Sequence, residues 1–248
     1  EGILPPAAPG PAFALRKRAV SIIGLDRYVA DGILTTGQAE FLRRAVRERQ
    51  NILIAGATSS GKTTLANALL AEIAATGDRV LVLEDTIELQ CAARDHVPLR
   101  TRAGVVSMTE LVRATMRLRP DRVIVGEVRG GEALDLVKVW GTGHPGGIAT
   151  IHAGSALGAL LRLEQLILEV AVNPPRALIA EAVNVVIHIA GRGRKRRVES
   201  IARVVGFDGT GYRLADALET PFPELMPVPL AADAAAPSSS LDLPGELP

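Results

Sequence analysis

Residues 56–63 read G-A-T-S-S-G-K-T, a complete G-x-x-x-x-G-K-[ST] pattern. An apolar run precedes the pattern at residues 51–55, and a helix-forming run follows it at residues 65–73. A glycine-rich turn between a strand and a helix binds phosphate, because its backbone N–H groups and the positive helix end face the same point. A chance Gly/Ser-rich turn is disfavoured, since all positions and both flanks agree. The predicted nucleotide-binding residues are Gly56, Ala57, Thr58, Ser59, Ser60, Gly61, Lys62, Thr63 and Thr64.

Two side chains of this loop have predicted roles with a nucleoside triphosphate. The ammonium group of Lys62 can reach the β- and γ-phosphates, and the hydroxyl of Thr63 can bind Mg²⁺. A loop of this kind shows only that a nucleotide binds. The class of reaction has to come from side chains at the ends of neighbouring strands, which face the same crevice in an open α/β sheet.

The composition restricts the fold and the partners. Hydrophobic residues make up 48% and aromatic residues only 3% of the 248 residues, so the core is aliphatic, as suits a buried, largely parallel sheet covered by helices. The net charge of +1 gives no strong nucleic-acid signal. Cys91 is the single cysteine, which excludes an intrachain disulfide and favours a reducing cytoplasm. No apolar stretch reaches the roughly 18–20 residues of a membrane span.

Strands and helices are predicted to alternate, which indicates an α/β layered fold. Asp208 and Gly209 are expected to form the turn of a small C-terminal hairpin. Ser107 and Glu110 form a capping-box pattern at a helix start. The predicted strands are 13–20, 51–55, 79–84, 122–127, 147–152, 183–189, 197–205 and 211–214. The predicted helices are 36–48, 63–75, 107–118, 131–140, 156–168 and 175–182.

The ends of the chain differ from its middle. Residues 1–12 are rich in Pro, Gly and Ala and are expected to form an extended linker. Pro, Ala and Ser dominate from residue 221, which predicts a disordered tail. We therefore expect residues 1–20 to be the linker and the remnant of a truncated N-terminal domain, residues 21–220 to be the nucleotide-binding domain, and residues 221–248 to be the tail.

Acidic residues follow two of the predicted strands. Glu127 ends the strand at residues 122–127, where a carboxylate can hold Mg²⁺ through water or orient an attacking water. Glu84, Asp85 and Glu88 follow the strand at residues 79–84, and one of them can act as a general base. The alternative for both groups is a solvated strand end. The sequence favours function, and leaves the choice of the base open.

Histidines and arginines complete the candidate site. His144 and His152 lie in one segment, where an imidazole can donate to a phosphate oxygen; a buried structural histidine is the alternative for each. Arg100, Arg102, Arg113 and Arg117 are candidates for sensing phosphate, with a solvated, acid-paired surface as the alternative. The basic run at residues 192–197 is expected to be a solvated turn, with peripheral contact to a membrane surface as the other possibility.

The order of these motifs resembles that of the secretion-superfamily ATPases of type II secretion, type IV secretion and type IV pili. The resemblance covers roughly residues 50–165, from the phosphate loop through an acidic box, a Gly-Glu strand end and a histidine box. Within the superfamily, the segments 116–129 and 150–155 are similar to the conjugative-transfer branch. The resemblance implies a RecA-like P-loop NTPase core with a largely parallel, helix-covered sheet and a small C-terminal β-hairpin region.

The same resemblance implies a function and roles for single residues. It implies an Mg²⁺-dependent ATPase that powers pilus assembly or substrate export in conjugation. Glu88 matches the catalytic glutamate, supported by Glu84; Glu127 matches the Mg²⁺-water or hydrolysis glutamate; His152 matches the histidine near the γ-phosphate. The implied assembly is a homohexameric ring at the inner face of the cytoplasmic membrane, with channel and coupling proteins as partners.

Two departures from the family pattern bear on these expectations. Most of the family's N-terminal domain is expected to be missing, which leaves Arg16 as the candidate for the arginines that this domain supplies. A single cysteine cannot form the four-cysteine zinc module common in type II secretion ATPases. A pilus or type II secretion ATPase, a nucleic-acid translocase and a kinase-like nucleotide-binding protein stay open as alternatives.

Overall fold

The structure is a computed structural model that describes residues 2–14 and 22–219. Strands and helices alternate along most of the chain. The strands are β1 (Gly2–Ile3), β2 (Ala12–Phe13), β3 (Ile52–Ala55), β4 (Val80–Glu84), β5 (His96–Arg100), β6 (Arg122–Val125), β7 (Ile148–Ile151), β8 (Val185–Ala190), β9 (Arg197–Phe207) and β10 (Tyr212–Asp216). The helices are α1 (Leu25–Ala30), α2 (Thr36–Arg47), α3 (Lys62–Ile73), α4 (Met108–Thr115), α5 (Glu132–Gly141), α6 (Ala156–Ile167) and α7 (Arg176–Ala182).

Strands β3 to β10 form one sheet of eight strands in the order β10-β9-β8-β3-β7-β6-β4-β5. The strands from β8 to β5 are parallel to their neighbours, whereas β9 and β10 add an antiparallel hairpin at the other edge. β3, which leads into the glycine-rich loop, lies between β8 and β7. The predicted α/β class, the largely parallel sheet and the C-terminal hairpin are confirmed.

The strand side chains alternate between two hydrophobic layers. Ile52 and Ile54 of β3 face the layer that contains α1, α2 and α3, and Leu53 and Ala55 face the layer that contains α4 to α7. All four side chains are fully buried. A parallel strand covered on both faces needs apolar residues on both, which explains why the central strands are continuous apolar runs.

Local signals set several helix boundaries. The side chain of Ser107 accepts a hydrogen bond from the Glu110 backbone N–H, and Glu110 accepts one from the Ser107 N–H, so the predicted capping box is confirmed. The predicted end of the same helix is wrong, because α4 stops at Thr115 rather than near residue 118. The chain turns at Arg119, which has φ +51°, directly before Pro120. Proline disfavours helical geometry in the residue that precedes it.

Three strands and one helix have no counterpart in the prediction. β5 is an edge strand with alternating exposure and a proline at position 98, a weak strand signal. α1 is a single short helix that buries Leu25 and Tyr28. β1 and β2 form a separate antiparallel pair across the predicted linker of residues 1–12, and β2 extends to Phe13. The strand predicted for residues 13–20 lies largely outside the described residues, which omit 15–21.

Buried charges lie at the amino ends of the parallel strands. Arg122 begins β6 with 1% of its surface exposed, and its Nε donates to the carboxylate of Asp78, which precedes β4. Its other guanidinium nitrogens donate to the backbone carbonyls of Gly146 (3.2 Å) and Val46 (3.0 Å). Asp78 also accepts from Arg49. Buried ions are tolerated only when they are paired and hydrogen-bonded in this way.

Asn51 closes the same end of the sheet with its amide side chain. It accepts from the backbone N–H of Gly147 (2.9 Å) and donates to the carbonyl of Ala182 (2.7 Å). These bonds join the starts of β3 and β7 to the end of α7. Among the helices of residues 2–14 and 22–219, none has the length and apolarity that crossing a bilayer requires.

Candidate functional site

A cavity of about 500 Å³ lies at the carboxyl ends of the parallel strands. The glycine-rich loop after β3 forms its floor. Acidic residues after β4 and β6, together with His152 after β7, form one wall, and Arg196 from the turn between β8 and β9 approaches from another side. The structure therefore brings Lys62, Glu84, Glu88, Glu127 and His152 into one cavity, as the sequence predicts for the carboxyl edge of such a sheet.

The loop between β3 and α3 has the backbone geometry of an anion cradle. Gly61, at the N-cap of α3, has φ +101°, a conformation that favours glycine. Ser59 also has a positive φ, at +64°. α3 then begins at Lys62, so the N–H groups of its first turn and the positive helix end point to the loop. Thr63 and Thr64, in the first turn of α3, line the cavity.

Both glycines of the loop also pack tightly against the β8–β9 hairpin. A Cβ atom on Gly56 would lie 2.4 Å from the carbonyl oxygen of Ile189. A Cβ atom on Gly61 would lie 2.7 Å from Nε of Arg196. Such distances are not found for real Cβ atoms. A larger residue at Gly56 would displace backbone of the loop or the hairpin, whereas one at Gly61 would push the Arg196 side chain aside and strain a backbone with φ +101°. The glycines are thus needed for packing inside the chain as well as for any approach of a phosphate.

Lys62 is directed into the loop and is only 7% exposed. Its ammonium group donates to the carbonyl oxygens of Gly56 (3.0 Å) and Ala57 (3.2 Å) and lies 3.4 Å from Nδ1 of His152. These contacts hold the cation at the centre of the cradle. A buried cation next to free helix N–H groups is the electrostatic arrangement that favours an anion.

A chain of polar contacts runs from Lys62 across the cavity wall. Nε2 of His152 lies 2.5 Å from Oε1 of Glu127. Nε of Arg129 donates to the other oxygen, Oε2 of Glu127, at 2.9 Å, and Nη1 of Arg129 lies 3.6 Å from Asp85. The hydrogen bonds from Arg129 to Glu127 raise the pKa of this guanidinium further above its usual value. Glu127 is thereby held between a histidine and an arginine.

His152 is held in its neutral form by its surroundings. Burial lowers the pKa of this imidazole most, and the nearby positive charge of Lys62 lowers it further, although Glu127 opposes the shift. Because Lys62 is a donor only, Nδ1 of His152 is the acceptor, and Nε2 faces Oε1 of Glu127 in a close contact that is not aligned as a hydrogen bond. The ring therefore links the loop lysine to the wall carboxylate.

Glu84 organises the loop that carries Glu88. Its side chain is 6% exposed, and Oε1 accepts the backbone N–H groups of Glu88 (2.9 Å) and Leu89 (2.8 Å). A Cβ atom on Gly126 would lie 3.1 Å from Cγ of Glu84, so the glycine of the Gly-Glu pair makes room for this side chain. Glu84 thus positions Glu88, which is half-buried in the cavity wall.

The predicted arginines lie in different surroundings. Arg16 falls outside the described residues. Nε of Arg100, at the end of β5, donates to the carbonyl of Asp85 at 3.3 Å, close to the mouth of the cavity. Arg102 lies in the loop after β5 and lines a neighbouring depression. Arg113 forms an ion pair with Asp135 (3.1 Å), and Arg117 is exposed beyond the end of α4.

The structure adds residues that the sequence analysis did not assign to the site. Arg129 contacts two wall carboxylates, and Arg196 contacts the loop, although the basic run that contains it was expected to be a solvated turn. Thr150 in β7 donates to the carbonyl of Gly126 (2.6 Å) and lines the cavity. His144, in contrast, lies at the opposite end of β7, with Nδ1 2.9 Å from the carbonyl of Pro120.

The residue types fit a magnesium nucleotide better than a metal held by protein alone. Within the described ranges, no three His, Cys, Asp or Glu side chains are grouped so that they could hold a metal ion by themselves. Mg²⁺ usually takes one or two protein oxygens and completes its shell with water and phosphate oxygens. The Thr63 hydroxyl and the Glu127 carboxylate, which line the same cavity, provide such oxygens.

The sheet order, the glycine-rich loop and the cavity define a P-loop protein with a RecA-like α/β core. The chain belongs to the Type II/IV secretion system protein family, whose model matches residues 3–200. The resemblance to the secretion superfamily is thereby confirmed.

Two relatives support the branch within the family. The conjugal transfer protein TrbB of Rhizobium radiobacter is 51% identical over 215 residues, which are 86% of this chain and 66% of TrbB. The type IV secretion system protein PtlH of Bordetella pertussis is 41% identical over 178 residues, 65% of this chain and 52% of PtlH. The chain thus spans just under two thirds of the length of TrbB. The expected similarity to the conjugative-transfer branch is confirmed.

Solved structures share the fold. The VirB11 ATPase of the Brucella suis type IV secretion system, solved with sulphate, superposes with a TM-score of 0.60 at 30% identity, over 76% of this chain and 67% of that one. The pilus retraction motor PilT superposes with a TM-score of 0.57 at 22% identity, over 81% and 53%. The second likeness concerns the fold alone.

Proposed function

We propose that this chain contains the ATP-hydrolysing core, residues 21–220, of a motor in a conjugative type IV secretion system. The observation that carries the proposal is the single cavity that joins Lys62 and Thr63 to Glu88, Glu127 and His152. The family membership and the 51% identity to a conjugal transfer protein support the biological setting. Powering of pilus assembly or substrate export is the corresponding cellular role.

The loop binds the phosphate chain of ATP in this proposal. Backbone N–H groups at the start of α3 and the ammonium group of Lys62 supply the positive potential. Lys62 exchanges its contacts to the loop carbonyls for phosphate oxygens, which accept more strongly because they are charged. The similar VirB11 ATPase was solved in complex with sulphate, an anion that resembles phosphate.

Thr63 and Glu127 would hold Mg²⁺, the second partly through water. Bound there, the ion would supply positive charge beside the phosphate oxygens. His152 lies against Glu127 and stays neutral, so it adds no competing positive charge beside Lys62.

Glu88 takes the proton from the attacking water. Glu84 fixes its backbone through two hydrogen bonds, so the carboxylate starts from a defined position. One oxygen of Glu127 accepts from Arg129, and the other lies against His152. Glu127 is therefore better suited to holding Mg²⁺ than to accepting a proton. Positioned proton transfer of this kind contributes about 10²–10⁴-fold in rate.

The working assembly is proposed to be a homohexameric ring at the inner face of the cytoplasmic membrane, in contact with the channel and coupling proteins of the secretion system. Hydrolysis opens and closes the seam between domains and so converts chemistry into movement. Arg16, Arg100 and Arg102 are candidates to reach phosphates in this assembly. Arg113 and Arg117 are weaker candidates, given the ion pair of Arg113 and the exposure of Arg117.

The test compares ATP hydrolysis by the full-length protein with that of Lys62→Ala, Glu127→Gln and Glu88→Gln. We expect each variant to lose at least about 100-fold in kcat, because each removes a group that acts on the phosphates or the attacking water. Arg213→Gln is the matched control, since it removes an exposed, ion-paired charge from the edge strand β10, away from the cavity.

Product analysis gives the reaction class in the same experiment. ADP and inorganic phosphate in equal amounts support a hydrolase, whereas a phosphorylated acceptor would point to a kinase. Undiminished turnover in both Lys62→Ala and Glu127→Gln would overturn the proposal.

A further inference from the structure

Arg196 lies directly on the phosphate loop. A Cβ atom built on Gly61 would meet Nε, Cζ and Cδ of Arg196 at 2.7, 2.9 and 3.0 Å, so the guanidinium covers the α-carbon of this glycine. The side chain lines the same cavity as Lys62. Its Nε is buried and has no hydrogen-bond partner in the part of the chain that the structure describes. A buried donor without a partner is costly, and in a native site it indicates a missing ligand or water.

The turn between β8 and β9 holds Arg196 in this place. Gly191 has φ +79°, and a Cβ atom there would lie 2.1 Å from the carbonyl oxygen of Lys195, so the turn is tightly closed. The N–H of Val198 then donates to the carbonyl of Ile33 at 2.9 Å, which fixes the start of β9 against the segment between α1 and α2. The backbone on both sides of Arg196 is therefore held in place, and its side chain is partly buried, whereas Arg194 on the same turn is exposed.

Arg129 and Arg196 both line the cavity, but among the residues that the structure describes only Arg129 is paired with carboxylates. Arg129 on the acidic wall pairs with Glu127 and Asp85. Across residues 2–14 and 22–219, no carboxylate lies within ion-pair distance of Arg196 in the structure. Tyr28 lies nearby, but burial raises the pKa of its phenol to about 12 against the influence of Arg196, so it brings no negative charge. The loop thus carries a guanidinium that is ready for an anion.

The strand order tells which part of a nucleotide Arg196 would meet. β8 lies on one side of β3, and β7, β6 and β4, whose ends carry His152, Glu127 and Glu84, lie on the other. The phosphate that is transferred must lie on the side of the carboxylates that act on it. Arg196 approaches from the opposite side, where the rest of the phosphate chain continues toward the nucleoside.

We propose that Arg196 is a nucleotide-contacting residue, supplied by the same subunit, that binds the non-transferred phosphates of the nucleoside di- or triphosphate. The inference rests on the proposed function, because it names a further contact in that same site. A guanidinium suits this task, since its planar set of donors matches two phosphate oxygens at once. The contact is the same for ATP and ADP. It therefore stabilises the bound nucleotide equally before, during and after transfer of the terminal phosphate.

A contact of this type has a defined kinetic signature. Loss of binding that is equal in the ground state and the transition state raises KM and leaves kcat nearly unchanged. Removal of one charge-assisted hydrogen-bonding partner weakens binding by about 10- to 100-fold. We expect Arg196→Gln to weaken the binding of ADP and of a non-hydrolysable ATP analogue by the same factor, within this range. Arg196→Lys should recover part of the lost affinity.

The experiment measures calorimetric Kd values for ADP and the ATP analogue, together with kcat and KM, for wild type, Arg196→Gln and Arg196→Lys. Arg194→Gln is the matched control, because it removes one positive charge from the same turn without reaching the loop. Thermal unfolding without nucleotide shows whether each variant keeps its fold; if Arg196→Gln does not, Arg196→Lys carries the comparison.

Each outcome decides between distinct explanations. An equal loss of affinity for ADP and for the ATP analogue in Arg196→Gln, with no such loss in Arg194→Gln, supports the proposal. Unchanged ADP affinity in a folded Arg196 variant overturns it while wild-type hydrolysis still supports the motor function. A loss confined to the ATP analogue, with a fall in kcat, overturns it as well, because Arg196 would then act on the transferred phosphate. If wild type neither binds nor hydrolyses ATP, the proposed function itself fails.

Discussion

The two ends of the same parallel sheet use similar charged residues in opposite ways. At the amino ends, Arg122 and Asp78 are 1% and 5% exposed, and the arginine donates to one carboxylate and two carbonyls. At the carboxyl ends, Glu127 and His152 line an open cavity, where 46% of the histidine side chain is exposed. One end is a closed network inside the core, and the other presents its charges to a ligand.

The two histidines of the segment around β7 show the same difference. His144 precedes the strand and contacts the carbonyl of Pro120, away from the cavity. His152 follows the strand and joins Lys62 to Glu127. The position relative to the strand, rather than the residue type, separates a structural histidine from a candidate functional one.

The largest effect on stability is expected from the closed end. Arg122→Met leaves the carboxylate of Asp78 buried with the partly exposed Arg49 as its remaining arginine partner. Breaking a buried pair in this way costs about 3–5 kcal/mol of unfolding free energy. Urea unfolding measures the loss, and KM for ATP should be unchanged, because the cavity lies at the other end of the sheet. Arg49→Met is the control, with a smaller loss expected from its greater exposure. A cost below about 1 kcal/mol for Arg122→Met would remove the distinction between the two ends.

An intermediate effect on stability is expected at Glu84, which is buried and hydrogen-bonded but also lines the cavity. Glu84→Ala leaves the N–H groups of Glu88 and Leu89 without their acceptor. We expect a loss of about 1–3 kcal/mol in stability, with a fall in kcat as Glu88 loses its position. Glu84→Gln keeps an acceptor oxygen and should restore most of the stability. Unfolding curves and steady-state hydrolysis of the two variants give the comparison. Unchanged kcat in Glu84→Ala would mean that Glu88 is positioned by other contacts.

The smallest effect concerns pH at His152. Its pKa in the folded chain is lowered from the ordinary value near 6.5, mainly by burial and then by Lys62. The unfolded chain therefore takes up the proton first, and stability falls as the pH drops below about 6.5. The loss should stay below about 1 kcal/mol, since the side chain is partly exposed and solvent screens it. Urea unfolding at pH 5 and pH 8 should show a smaller difference in stability for His152→Gln than for wild type. An identical pH dependence in wild type and His152→Gln would contradict the lowered pKa.

The parts of the fold that the sequence predicts are those with local causes. Continuous apolar runs mark the central parallel strands, and Ser107 with Glu110 marks the start of α4. The glycine-rich pattern places the loop between β3 and α3. The edge strand β5 escaped prediction because it is half exposed and contains a proline, and its pairing with β4 supplies what its own sequence lacks.

The parts of the site that the sequence missed depend on contacts between distant residues. Arg196 stands in a basic run, and only the closed turn at Gly191 places it on the loop some 135 residues earlier in the chain, at Gly61. The pairing of Arg122 with Asp78 spans 44 positions and has no local pattern. Glu84 was expected to support the site, but the hydrogen bonds through which it holds Glu88 follow from the folded loop alone.

The close fit of Gly56 and Gly61 against Ile189 and Arg196 has a consequence for protein engineering. A chimaera that imports the nucleotide loop of another enzyme would have to import the matching β8–β9 turn with it, or keep both glycines. Loop and turn behave as a single module, although more than a hundred residues of sequence separate them.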